Sequence, residues 1–195
     1  MSVIASPLPV KLFVGILSRD VALLDQCTDN FRRTFGPADF LSPLLPWDHT
    51  DYYEGEMGKE LFRRFVFAAG TIDPGRLSEI KHITNGWEAT LAEHSTDGLR
   101  RNVNIDPGYV TEAKVVLATG KDFPHRVYIG NGIYAEATLR YERQKNEFQP
   151  WEYTYPDFRR EDVRGWFNDA RKRLRAEIKR STDGRRGSAS RSGPV

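Results

Sequence analysis

The chain has one cysteine, Cys27, among its 195 residues, which excludes an internal disulfide framework. Histidine is also sparse. His49, His82, His94 and His125 are the only four, and with a single thiol they make a structural zinc site a poor fit. Long apolar runs are missing as well. The run from Leu12 to Leu17 is too short to span a bilayer and has no cationic start or small-residue cleavage site. The expectation is a soluble, cytoplasmic protein with no membrane partner. Several motifs are absent: no G-x-x-x-x-G-K-[ST], no G-x-G-x-x-G after a strand, no C-x-x-C, no H-E-x-x-H and no G-x-S-x-G. These absences argue against a phosphate loop, a dinucleotide fold, a dithiol redox centre, a zinc protease and a serine hydrolase.

Aromatic residues are plentiful, with 11 Phe, 8 Tyr and 4 Trp, and hydrophobic residues make up 39% of the chain. That is enough for a core without covalent staples, and the length favours one domain. The net charge of +2 is unevenly spread. Residues 159–195 carry a balance of +7 and residues 1–158 a balance of −5, so an acidic body ends in a basic segment. After Arg180 come Gly, Ser, Arg and other polar residues, with Ala189, Pro194 and Val195 as the exceptions. Such a segment cannot bury a core, and 181–195 is expected to be a disordered basic tail on a single domain spanning 1–180.

Periodicity predicts an α+β fold. Val10 to Leu17 reads as a buried strand. Asp20 then caps a helix whose Val21, Leu24, Cys27, Phe31 and Phe35 share one face, and Gly36-Pro37 stops it. Phe40 to Leu45 and Leu61 to Ala69 read as strands, and a second helix spans about Pro74 to Ala92. Arg100 to Ile105 reads as a fourth strand and Pro107 to about Ala118 as a third helix. Gly130-Asn131-Gly132 then turns a hairpin between Arg126–Ile129 and Ile133–Tyr141. A strand near Phe148 and an amphipathic helix from Phe158 to Lys179 complete the reading. The first six elements follow β-α-β-β-α-β, the ferredoxin-like order, on an antiparallel or mixed sheet.

Ile72-Asp73-Pro74-Gly75 recurs as Ile105-Asp106-Pro107-Gly108, with Glu79 and Lys81 matched by Glu112 and Lys114. Asp at a cap followed by Pro in the first turn is the chemistry of a strand-to-helix junction. A duplication, or a pair of site carboxylates at Asp73 and Asp106, are the alternatives.

Two polar clusters stand out. The first is Lys121-Asp122-Phe123-Pro124-His125-Arg126, with Lys114 upstream and Glu136 on the return strand. As a site it would use His125, Asp122 and Glu136 catalytically. Lys114, Lys121, Arg126 and Arg101 would bind an anion, Arg bidentately and Lys as a point charge. As structure it would be a polar loop closed by an Asp122–Arg126 pair. The second cluster is Asp48, His49, Asp51, Glu54 and Glu56. Asp51, Glu54 and Glu56 would suit a hard divalent cation such as Mg²⁺. The alternative is a solvated acidic loop.

Longer patterns carry a resemblance. They are Val103-Asn104-Ile105-Asp106-Pro107-Gly108-Tyr109, Lys114 to Thr119, Lys121-Asp122, His125-Arg126, and Gly132-Ile133-Tyr134-Ala135-Glu136. With them go Asp51-Tyr52-Tyr53-Glu54, Glu56-Met57-Gly58, Thr84-Asn85, Trp151 and Thr154-Tyr155-Pro156-Asp157. In combination they resemble the domain of unknown function 4416 family, a bacterial family, over most of residues 10–170. The resemblance implies kinship and no activity. Thr119-Gly120-Lys121-Asp122 is similar to a guanine-reading N-K-x-D, but its Asp directly follows the Lys. Two functional expectations follow from the residues. One is binding or turnover of a phosphorylated small molecule or nucleotide at the Lys/His/Arg/Asp cluster. The other is a non-catalytic RNA-associated module using the basic terminal helix and tail.

Overall fold

The computed structural model describes residues 3–47, 57–95 and 98–189. It is an α+β protein built on a nine-stranded sheet. β1 (Lys11–Ser18) is buried along its whole length, which is why it reads as a continuous apolar run and not as an alternation. α1 (Val21–Phe35) follows, with the Asp20 carboxylate accepting from the Ala22 N–H and Gly36 at its end at φ 89°. The expected strand at 40–45 is two shorter ones, β2 (Ala38–Leu41) and β3 (Leu45–Trp47), both paired to β4 (Leu61–Ala68). α2 (Leu77–Thr90) is led in by a 3-10 turn at Pro74–Arg76. The short strands β5 (Glu93–Ser95) and β6 (Gly98–Arg100) form a separate ribbon. The main sheet resumes with β7 (Asn104–Val110), β8 (Lys114–Thr119), β9 (Val127–Gly130), β10 (Ile133–Glu142) and β11 (Glu147–Pro150). A four-residue helix, α3 (Pro156–Arg159), precedes the long α4 (Glu161–Ala189).

Along the sheet the strands run β11-β10-β8-β7-β1-β4-β2, and every pair is antiparallel. The helices cover both faces. Leu24, Cys27 and Phe31 of α1 and Ile80 of α2 pack on Leu12, Val14 and Ile16. On the opposite face Val163, Phe167 and Ala170 of α4 pack on Phe13, Phe65 and Phe67. Residue parity in β1 therefore decides which helix each side chain meets. Lys11 ties the layers together. It is fully buried, and its ammonium donates to Asp39 Oδ2 (2.9 Å), Glu177 Oε1 (2.9 Å) and the Ala68 carbonyl (2.8 Å).

The third helix expected from Pro107 is not there: residues 104–110 and 114–119 form β7 and β8, with a turn between them. The same four residues thus take two forms. At 72–75 Asp73 caps, accepting from the Gly75 N–H at 2.7 Å. At 105–108 the chain is extended, and just beyond it Val110 pairs with Val115 and Tyr109 with Val116 across β7 and β8, as β-branched and aromatic residues favour. Pro107 is tolerated because the pairing of β7 with β8 begins only at Gly108. A Cβ at Gly108 would lie 2.4 Å from the Val116 carbonyl oxygen and 2.6 Å from Phe13 Cζ, so only glycine admits this approach. The duplication reading is left with a shared tetrapeptide and no shared structure. The hairpin holds as expected, with Asn131 at φ 55° and Gly132 at φ 71° in a two-residue turn. The terminal helix passes its expected end near Lys179 and takes in residues 181–189 of the segment read as tail. The segment has no Pro before 194, so nothing there removes a helical N–H. Among the described residues no helix is long and apolar enough to cross a membrane.

Two expectations follow. Gly108→Ala should cost about 1–3 kcal/mol by overpacking. Gly86→Ala, in the middle of α2 with open space where its Cβ would stand, should gain about 0.5–1 kcal/mol. Urea unfolding of both variants checks the contrast, and equal effects would refute it. The Cys27 thiol, pushed up to about 12 by burial with the Glu88 charge adding to it, should not react with a disulfide reagent at pH 8 until the protein unfolds.

Candidate functional site

Strand alternation in β4 puts Leu61, Arg63, Phe65 and Phe67 on the face that α4 covers. One of those four positions is an arginine, and its side chain is only 4% exposed. It fits because β1 has Gly15 beneath it, where a Cβ would stand 2.6 Å from Arg63 Nη2. The guanidinium meets two carboxylates, with Nη1 3.3 Å from Asp106 Oδ2 and Nε 3.4 Å from Asp157 Oδ2. It also lies 5.7 Å from the centre of the Trp47 ring and 5.3 Å from that of Phe65, within cation–π range.

Asp106 is the junction of a longer chain of charge. Asn104 Nδ2 donates to its Oδ2 at 2.7 Å, and Lys81 Nζ stands 3.6 Å from its Oδ1. Lys81 comes from α2 and also donates to the Ile105 carbonyl at 2.7 Å. Glu88, two turns along α2, accepts the Ile105 N–H at 2.6 Å and lies 3.9 Å from Lys81 and 3.6 Å from Arg101. Burial alone would raise the Asp106 carboxyl. Lys81 and Arg63, with hydrogen bonds from Asn104 and Arg63, outweigh it and hold the group below its ordinary range. At Glu88 burial wins and pushes the carboxyl up, against Lys81 and the Ile105 N–H.

The second half of the site is the loop before β9 and the strand that answers it. Arg126 Nε donates to Glu136 Oε2 at 2.8 Å, Nη1 to the Lys121 carbonyl at 3.0 Å and Nη2 to Tyr155 Oη at 3.2 Å. Both side chains are nearly sealed, at 3% and 2% exposure. Burial opposes the Arg126 charge, and the Glu136 hydrogen bond and charge overcome it. His125 Nε2 lies 3.1 Å from the same Oε2, and Thr138 Oγ1 donates to Oε1 at 3.2 Å. The imidazole is stacked on Tyr153, ring centres 4.2 Å apart, and Tyr153 is anchored by its hydroxyl on the Ala137 carbonyl at 3.1 Å. Burial, with the Glu136 charge behind it, raises the Tyr153 phenol.

The 153–158 segment closes the site. Thr154 Oγ1 donates to the Thr138 carbonyl at 2.7 Å, and Pro156 opens α3. That sets Asp157, 3% exposed, on Arg63. Between these elements lies a small cavity of about 40 Å³, lined by Trp47, Arg63, Asp106, Thr119, Arg126, Glu136, Tyr155 and Asp157 among others. At about 10–15 Å³ for each water, it admits a few waters or one compact charged fragment.

The first polar cluster is thus only partly assembled. His125, Arg126 and Glu136 meet. Asp122 and Lys121 have exposed side chains and do not line the cavity, and the Arg126 carboxylate partner is Glu136, in place of the Asp122 that a structural loop would have used. Lys114 is exposed at the opposite end of β8 from Thr119. Arg101 stands one residue removed, donating to Asn104 Oδ1 at 3.0 Å. Asp51, Glu54 and Glu56 lie outside the described residues. Among the described residues no group of three or more His, Cys, Asp or Glu side chains could hold a metal ion. Arg63, Lys81, Glu88 and Asp157 were not anticipated. The detectable signal was a charge on an apolar stripe: Arg63 between Leu61 and Phe65, and Lys81 beside Ile80.

The basic face of α4 is partly engaged by the body. Arg171 donates to the Glu112 carbonyl at 2.7 Å and lies 3.5 Å over the Tyr141 ring, Arg173 pairs with Asp39 at 3.3 Å, and Arg175 pairs with Glu112 at 3.5 Å.

A family model described as Domain of unknown function (DUF4416) matches residues 8–174. No curated protein and no solved structure matches the chain.

The Asp106 geometry has a pH consequence. A depressed carboxyl contributes stability that is present above its unfolded value, near 3.8, and is lost as pH falls below it. Asp106→Asn should cost about 1–3 kcal/mol at pH 7 and then lose less than the wild type between pH 5 and 3. Urea unfolding across that window measures it, and parallel pH profiles would contradict the assignment.

Proposed function

The chain belongs to the DUF4416 family, and from its cavity we propose that the protein binds a small metabolite through a terminal anionic group, a phosphate or a carboxylate. One observation carries the reading: two nearly buried guanidinium groups, Arg63 and Arg126, line one cavity. Buried ion pairs are weak contributors to stability, and apolar replacements of similar shape often serve as well. A cluster of buried charge at a cavity is therefore a candidate site. Arg126 supports it further. Its three nitrogens each make one hydrogen bond, and each terminal nitrogen carries a second N–H.

In this reading the anion replaces the cavity waters and takes N–H donors from both guanidiniums. The cavity holds only the compact charged end of the ligand, and the rest extends outward past Tyr155, which is 41% exposed. His125 touches the Glu136 carboxylate that lines the cavity, and in this reading it acts on a ligand there as proton donor or acceptor. Turnover would use that pair, with Tyr153 fixing the imidazole plane.

Thermal shift against inorganic phosphate, phosphorylated metabolites and small carboxylates, with and without Mg²⁺, tests the binding. Stabilisation by a ligand at about 100 times its Kd is worth about 2.7 kcal/mol, and Arg126→Gln should abolish it. Absence of any shift, or a shift that Arg126→Gln leaves intact, would remove the proposal.

A further inference from the structure

Each guanidinium at the cavity already faces a carboxylate. Arg126 holds Glu136 at 2.8 Å, and Arg63 stands between Asp106 at 3.3 Å and Asp157 at 3.4 Å. The lining therefore has two cations and three carboxylates among the described residues. Behind it, Lys81 reaches Asp106, Glu88 reaches Lys81, and Arg101 reaches Glu88. Counted over these described groups alone, four cations (Arg63, Arg126, Lys81 and Arg101) stand against four carboxylates (Asp106, Asp157, Glu136 and Glu88).

A ligand that is only an anion upsets that balance. To reach the guanidiniums it must share them with Asp157 and Glu136, whose carboxylates are almost wholly out of water. Weakening either contact makes the buried carboxylate costlier to keep charged. A ligand with an ammonium group beside its anion avoids the cost. Its anion takes N–H donors from the arginines, and its ammonium takes up the carboxylate that the arginine has loosened. Ion pairs are then exchanged within the cavity, and no net charge is added to it. Since about 40 Å³ is available, the two charged groups must lie on adjacent atoms of a short ligand end.

We propose that the ligand is zwitterionic at the end that enters the cavity, an amine set close to a phosphate or carboxylate, with Arg63 and Arg126 taking the anion and Asp157 and Glu136 the ammonium. This rests on the anion-pocket reading above and narrows it. The same carboxylates act as the selective element, rejecting plain anions by repulsion.

The test uses matched pairs on the full chain by calorimetric titration: phosphoethanolamine against ethyl phosphate, and β-alanine against propionate. The amine-bearing member of a pair should bind about tenfold or more tightly. Asp157→Asn, which adds one positive charge to the balance, should strengthen ethyl phosphate and bring the pair to within about threefold. Glu136→Gln offers the same change from a different element if the first variant does not fold, as judged by its near-ultraviolet circular dichroism. Equal binding within each wild-type pair overturns the zwitterion inference and leaves the anion pocket standing. A preference that both folded carboxylate variants keep overturns it too. No binding by any of the four probes overturns the pocket and the inference together.

Discussion

Asp106 is held from two sides, by Arg63 out of β4 and by Lys81 out of α2, and the polar architecture of the protein hangs on that grip. The two cations come from different layers. Arg63 lies on the face covered by α4, and α2 packs on the other face. One carboxylate on β7 thus joins charges from both sides of the sheet. It stays ionised despite burial because both cations and Asn104 favour the charged form. Without that charge Lys81 keeps Glu88 at 3.9 Å and the Ile105 carbonyl, Arg63 keeps its contact with Asp157, and both lose the carboxylate that joins them.

Such a node needs a backbone that brings β7, β1 and β4 close together, and two glycines make this possible. Gly108 lets Phe13 and the Val116 carbonyl close over β7, and Gly15 leaves the slot that the Arg63 guanidinium fills. Apolar packing and charged site are therefore products of the same two missing side chains. Phe13 stacks on Phe67 and meets Phe167 edge-on, 4.8 Å between ring centres, so the aromatic core begins where the charged network ends. At the other end of β1, Lys11 holds β2 and α4 through Asp39 and Glu177. A strand buried on both faces has no solvated side, and its one cation is accommodated by three acceptors within 2.9 Å.

Local signals were legible where one element decides its own form. Asp20 and Gly36 delimit α1, Asn131-Gly132 turns the hairpin, and Val163, Phe167, Ala170 and Leu174 reveal the α4 stripe. Legibility failed where tertiary pairing overrides local chemistry. Asp-Pro-Gly is sound helix-start chemistry at 73–75 and was read the same way at 106–108. There β1 and β8 take the backbone into the sheet, and Asp106 faces cations in place of free N–H groups. The site was half visible for the same reason. His125, Arg126 and Glu136 are neighbours through one hairpin, so their meeting is local. Arg63, Asp106 and Asp157 lie 43 and 51 positions apart along the chain and meet only through sheet order and the return of the 153–158 segment. Lys114 was grouped with His125 because a helix would have placed it nearby; as the first residue of an extended β8 it is carried to the opposite end of the strand.

The proposed site rests on where the charge is placed. If ionic contacts served only to hold the sheet together, they would be expected between elements, as with Lys11, with donors and acceptors matched and no space among them. The Arg63–Asp157 and Arg126–Glu136 pairs are different. They flank a cavity, they come from the segments that close it, and one of them shares its carboxylate oxygen with an imidazole. Packing could have filled 40 Å³ with a single larger side chain, since Ala118 and Thr119 line the same wall. A void among paired charges costs contact energy and desolvation at once. Both costs are offset if a compact charged group occupies the space and inserts itself into pairs already present. In the zwitterion proposal the balance of charge around the void therefore constrains the ligand as much as the two arginines do.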